Sequence, residues 1–87
     1  MAKYPAVYYR NKRTLRARLK GEITGTMTCH KIIPLCLGGG YDIRNLCYME
    51  KHDHEEFHYN NPSPENDSVA VLRAKARQYG AIGVDLT

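Results

Sequence analysis

The sequence predicts an α+β fold: a small ββα core able to hold a metal ion, flanked by a basic amino-terminal helix and a carboxy-terminal helix. Three observations lead there. Two runs of β-forming residues lie either side of Gly38-Gly39-Gly40. A polar, helix-compatible run follows them and carries His54 and His58 four residues apart. Helical spacing of apolar residues recurs at both ends of the chain. At 87 residues the chain is expected to form one domain. Within it, 1–26 would be the basic helix and lead-in, 27–59 the core, and 60–87 the last helix and tail.

The segment from Tyr8 to Lys20 is rich in Arg, Lys, Leu and Ala, which favour helix. Tyr8, Leu15 and Leu19 can share a face, and Gly21 is a natural end. That apolar stripe is thin, so the helix needs a surface to pack on. Met27 to Ile33 reads as a strand stopped by Pro34. The three glycines at 38–40 then offer a tight connection into a second strand, Ile43 to Met49. They are not a phosphate loop, because the G-x-x-x-x-G-K-[ST] pattern is missing. Glu50 to Tyr59 reads as helix, ended by Asn60-Asn61-Pro62-Ser63-Pro64. Ser63 and Pro64 would start a last helix, Glu65 to Tyr79, with Val69, Leu72, Ala76 and Tyr79 on its buried face and Gly80 past its end. The tail, Ala81 to Thr87, is expected to be a short strand or loose.

Charge is unevenly placed. Residues 1–20 carry seven basic side chains and no acidic one, whereas residues 52–87 carry three basic and six acidic. A basic half leading up to the histidines suggests an anionic partner, nucleic acid before membrane surface. No apolar run approaches the ~20 residues of a membrane span, and the start lacks the apolar region of a cleavable signal. A cytoplasmic protein is the expectation. Cys29, Cys36 and Cys47 cannot all pair within one chain and contain no C-x-x-C, so they are expected to be reduced and partly buried.

The four histidines are His30, His52, His54 and His58. His54 and His58 project from one helix face, and a ββα hairpin would bring His30 over that face. Three neutral imidazoles make a three-ligand site for one divalent ion, with positions left for water or a phosphate oxygen. His52 lies off the face, and Glu55 or Glu56 is the candidate carboxylate to steady a ligand ring. The bland alternative is a charged helix whose histidines are incidental, with His30 filling a strand edge.

These residues resemble the HNH, or His-Me finger, nucleases, and most closely the nuclease domains of bacterial colicins and pyocins. The similarity runs through His30-Lys31-Ile32-Ile33-Pro34, Gly38-Gly39-Gly40-Tyr41-Asp42, Asn45, and His54-Glu55-Glu56-Phe57-His58, about a third of the chain. It implies a ββα-metal fold and a toxin-like or phage or mobile-element endonuclease acting in a host cytoplasm. DNA would be the substrate, with RNA a second option, and an inhibitor or other protein partner is also implied. It makes His30, His54 and His58 the ligands of one divalent ion (Zn, Ni, Mg or Mn). It makes Asn45 the residue that steadies the loop and helps orient the general base.

The general base itself is where the sequence departs from the family, which has His where this chain has Lys31. A lysine is ordinarily protonated at neutral pH and cannot take a proton from water, though it can hold a phosphate as a point charge. A shifted register, with Cys29 as ligand and His30 as base, would need a bulge before Pro34. An impaired, metal-stabilised nucleic-acid- or protein-binding protein is the alternative function, and a structural zinc protein the third. In the nuclease reading Arg10, Lys12, Arg13, Arg16, Arg18, Lys20 and Arg44 would meet flanking phosphates without reading bases.

Overall fold

Pro5 fixes where the first helix begins. Its carbonyl accepts the Tyr8 amide at 3.0 Å, and α1 runs Ala6–Arg18. The structure, a computed structural model, describes residues 4–84. Arg16 and Arg18 lie in the last turn of α1, where cations complement the helix dipole. Gly21, at φ 94°, then reverses the chain. Tyr8, Leu15 and Leu19 are buried together as the spacing predicts.

The surface α1 needs is a two-stranded antiparallel sheet. Strands β1 (Met27–Lys31) and β2 (Leu46–Glu50) pair from Met27 opposite Glu50 to Lys31 opposite Leu46, with no extra residue in either strand. Side chains alternate across such a sheet. Leu46 and Tyr48 therefore pack with the α1 residues, joined by Met27 and Cys29. Cys47 and Met49 face the other way, onto Phe57 of α2 (Lys51–Asn60) and onto Leu72 and Ala76 of α3 (Val69–Gln78). The described residues thus form an α+β fold in three layers: α1, the sheet, and the α2–α3 pair. Ile82 bridges Tyr48 through two backbone hydrogen bonds of 2.8 and 2.9 Å. This covers the outer side of β2, and the outer edge of β1 has no strand beside it among the described residues.

Three expectations about elements need correction. The first strand stops at Lys31 rather than Ile33, and Ile43–Asn45 is a 3₁₀ turn rather than the start of β2. Asn45 is the cause. Its side chain accepts from the Ile33 amide at 2.8 Å and donates to the carbonyls of Ile33 (3.0 Å) and Gly40 (2.9 Å). Those bonds fold the connection in as a clamped loop instead of a tight hairpin. Gly39 sits so close within it that a Cβ would collide with the Ile33 carbonyl.

The last helix begins at Val69, not Glu65. Pro64–Asn66 makes only a single 3₁₀ turn, and Ser68, not Ser63, caps α3 by accepting from the Val71 amide at 3.2 Å. Val69 is accordingly exposed, while Leu72 and Ala76 are buried and Tyr79 packs beside them. Of the cysteines, Cys47 is buried and Cys29 half-buried, but Cys36 is exposed, because it lies in the surface turn Leu35–Leu37. In the tail Ile82 does bridge β2, and residues 85–87 lie outside the described residues.

Candidate metal centre

His30 is the next-to-last residue of β1 and points to the α2 side, only 3% exposed. The ring of Phe57 packs against it at 4.7 Å. His54 and His58 come from successive turns of α2, and their ring centroids lie 5.0 and 5.3 Å from that of His30 and 4.8 Å from each other. One nitrogen from each ring falls within 4.8 Å of the others. His30 Nδ1 and His54 Nε2 are 3.2 Å apart. Two nitrogens each 2.0–2.1 Å from one tetrahedral ion would be separated by roughly 3.3 Å. The three histidines are therefore close enough to bind a metal ion.

The surroundings of the rings fit the same use. Thr28, two residues before His30 on the same face of β1, places Oγ1 2.7 Å from His54 Nδ1. With His54 Nδ1–H donating to that hydroxyl, the Nε2 lone pair is directed at the shared position. His30 has one nitrogen facing another imidazole and a second, Nε2, buried with no partner among the described residues. A cation shared with His54 and His58 would take the Nδ1 side of the His30 ring, where two imidazole nitrogens already face each other, and leaves Nε2 to be explained by its burial alone.

Burial, and after it the neighbouring His54, His58 and Lys31 charges, push the His30 pKa down to about 3. Burial also lowers His54, aided by His58 and Lys31 and opposed by Glu55, and it lowers His58. All three rings are thus neutral at pH 7, as ligands must be. The depressed His30 value has a consequence for stability. Between about 3 and the ordinary 6.5 the unfolded chain binds a proton that the folded chain refuses. The stabilising contribution is present above pH 6.5 and lost as pH falls through that window. Thermal unfolding in EDTA is expected to show a Tm that drops between pH 6.5 and 4.5, with a shallower drop in His30→Gln. Parallel curves for the two proteins would refute this.

Lys31 follows His30 and so points to the other face of β1, its ammonium 4.5 Å from the Tyr4 ring and 4.7 Å from the Tyr8 ring. It still lines the same open cleft, of about 410 Å³, as His30, His54, His58, Tyr4 and Tyr8. Asn45, 8% exposed, does not reach the Lys31 side chain. It pins the backbone immediately after it, through Ile32 N to Asn45 O (2.8 Å) and Ile33 N to Asn45 Oδ1 (2.8 Å). Cys29 also borders the cleft. However, β1 lacks the bulge that the shifted register needs, and burial raises the Cys29 thiol pKa. His30, not Cys29, joins His54 and His58.

His52 is exposed, off the ligand face, and pairs with Glu56 at 3.3 Å. Both Glu55 and Glu56 are exposed, and it is the Thr28 hydroxyl, not either carboxylate, that steadies His54. Strand alternation could have found Thr28 from the sequence. Nothing local pointed to Tyr4 or to the Phe57 contact.

The basic residues do not form one stripe. At about 100° per residue, Lys12, Arg13 and Arg16 fall on one flank of α1, Arg10 on its outer side and Arg18 on the far flank. Arg10, Arg13, Arg16, Arg18 and Lys20 are exposed. Lys12 is half-buried, its ammonium 5.4 Å from the Tyr8 ring, and Arg16 lies 5.8 Å from the Tyr48 ring. Arg44 is exposed beside Asn11 and Asp42, outside the histidine cleft.

Comparison with protein-family models, with curated proteins and with solved structures finds no match. No helix among the described residues is long and apolar enough to cross a membrane.

Proposed function

We propose that the chain is a slow, metal-dependent endonuclease of the His-Me finger type, hydrolysing phosphodiester bonds with little sequence preference. The observation that carries this reading is the histidine cluster: one ligand from a strand end and two from the following helix, at the wall of an open cleft. In this reading β1, β2 and α2 are the ββα-metal core.

His30, His54 and His58 would hold one divalent ion, and Zn²⁺ or Ni²⁺ suits an all-imidazole set better than Mg²⁺. Such an ion supplies charge stabilisation to a phosphate in the cleft. The chain's own residues do the remainder. Thr28 fixes the His54 tautomer, Asn45 holds the loop that shapes the cleft, and the α1 cations hold flanking phosphates. Lys31 stands where a neutral base is wanted, which makes the enzyme slow. A structural zinc role fits less well, because the cleft leaves the cluster accessible.

The test is nicking of supercoiled plasmid DNA. Slow cutting with Ni²⁺, Mn²⁺ or Zn²⁺, abolished by EDTA and by His58→Ala, is expected. Cutting that persists in EDTA would overturn the reading. So would an absence of cutting that Lys31→His does not restore, and that outcome favours an impaired nucleic-acid- or protein-binding protein whose metal is retained for stability.

A further inference from the structure

The outer edge of β1 is open, and the register shows which backbone groups lie on it. Tyr48 gives both its amide and its carbonyl to Ile82, on the far side of β2. In an antiparallel pair the partner of such a residue also points away, so the amide and carbonyl of Cys29 face outward. The flanking bonds agree: Ile32 N to Asn45 O and Lys51 N to Thr26 O put residues 26, 28, 30 and 32 on the β2 side. Met27 and Lys31 therefore share the orientation of Cys29. The Met27 amide is satisfied by Thr24 O at 3.3 Å, whereas the amides and carbonyls of Cys29 and Lys31 have no partner among the described residues.

This edge is also recessed. The cleft of about 410 Å³ is lined by Lys31, Tyr4 and Tyr8 from the α1 side of the sheet and by His30, His54 and His58 from the α2 side. A cleft that touches both faces of β1 runs past its outer edge, because β2 closes the other. Two donors and two acceptors thus lie along its floor, and that alternation selects the occupant. A phosphate only accepts, and would meet the two carbonyl oxygens unpaired. An extended peptide offers a donor and an acceptor at every second residue. A second copy fits badly, since its own β1 edge is recessed in the same way. Charge narrows the choice further: the described lining includes Lys31 and three imidazoles and no carboxylate, so an acidic peptide is complementary.

We propose that the β1 edge docks an extended acidic peptide of a protein partner as an added antiparallel strand, paired with Cys29 and Lys31 through their four free backbone groups. The peptide residue opposite Lys31 turns its side chain toward that ammonium, and the next turns toward His30, so acids at both places suit the two walls. Such a strand lies across the histidine cluster and closes the cleft to other ligands. The docking rests on the backbone edge and the charge of the lining, not on the nuclease reading.

The probe is the fluorescein-labelled heptapeptide Thr-Val-Glu-Asp-Val-Thr-Thr, amidated at its carboxy terminus, with binding read by anisotropy in EDTA. Methylating its amide nitrogens one at a time is expected to weaken binding about tenfold at alternate residues and little at those between, since only every second amide reaches β1. Lys31→Gln should weaken binding about threefold and remove most of its salt dependence. Hydrogen exchange gives the second measurement. In the free chain the Cys29 and Lys31 amides should exchange fast and those of Thr28 and His30 slowly, and saturating peptide should slow the first pair by about tenfold or more.

Failure to bind at millimolar peptide, a methylation scan without the two-residue period, or Cys29 and Lys31 amides already protected in the free chain would each overturn the docking. So would protection of those amides by a twelve-nucleotide single-stranded DNA and not by the peptide, which gives the edge to nucleic acid. The nicking assay judges the nuclease reading separately, because peptide binding in EDTA stands whether or not the chain cuts. If it does cut, cutting that persists at saturating peptide would place the peptide elsewhere and sink the proposal.

Discussion

His58→Ala is expected to lower Zn²⁺ affinity by about 10² to 10³. Structural zinc sites with four protein ligands are worth about 10–16 kcal/mol, so one ligand's share is roughly 2.5–4 kcal/mol, and each 1.4 kcal/mol is about tenfold. His58 is the right residue to remove because it is exposed, so truncation leaves no buried hole. His30→Ala is a poorer test. It would open a cavity beside Phe57 and confound loss of the ion with loss of packing. Thr28→Val should act through His54 alone and weaken affinity by about 10- to 100-fold, the usual effect of losing a group that orients a ligand ring. His52→Ala should change nothing, since its ring pairs with Glu56 on another face of α2. Competition against a chromophoric chelator, with the exposed Cys36 replaced by Ser and no affinity tag present, reads all four. Unaltered affinity in the His54→Ala/His58→Ala double variant would refute the ligand assignment.

How much of this could be read from the sequence divides along physical lines. Local periodicity carried the helices: Tyr8, Leu15 and Leu19 share the buried face of α1, and the four-residue step from His54 to His58 puts both on one side of α2. That His30 and Lys31 point to opposite faces of β1 follows from strand alternation but was not drawn from the sequence. What failed depended on contacts distant in sequence. The resemblance gave Asn45 a loop-steadying role, but nothing within a few residues of it shows that its bonds to Ile33 and Gly40 make a turn of the start of the expected strand. The beginning of α3 was misplaced because Ser63-Pro64 and Ser68 offer competing starts, and local sequence does not rank them. Lys31 was judged by what it lacks as a base. Its seat on Tyr4 and Tyr8 requires residues 27 and 23 positions away to be brought beside it by the packing of α1 on the sheet.

Lys31→His is expected to raise metal-dependent nicking by about 10² to 10⁴, the contribution of a well-placed general base. The argument joins position and charge. Position 31 lines the cleft that holds His30, His54 and His58, so an imidazole there has access to a water standing over a phosphate in that cleft. Its pKa near neutrality lets it accept that water's proton, which a lysine ammonium cannot do. Asn45 would steady the backbone that carries it, through the bonds to Ile32 and Ile33 already present. The gain should appear in kcat. KM should rise, because the substitution also removes the ammonium group that Lys31 sets beside the Tyr4 and Tyr8 rings in the cleft. That split separates a new base from a mere improvement in folding, which would raise the active fraction without moving KM. The assay compares the chain as it stands, Lys31→His, and Lys31→His with His58→Ala, each with Mg²⁺, Mn²⁺, Ni²⁺ and Zn²⁺. The last variant should lose the gain along with the metal. Strong cutting by the unaltered chain that disappears on Lys31→His would reverse the account and make the lysine itself the reacting group.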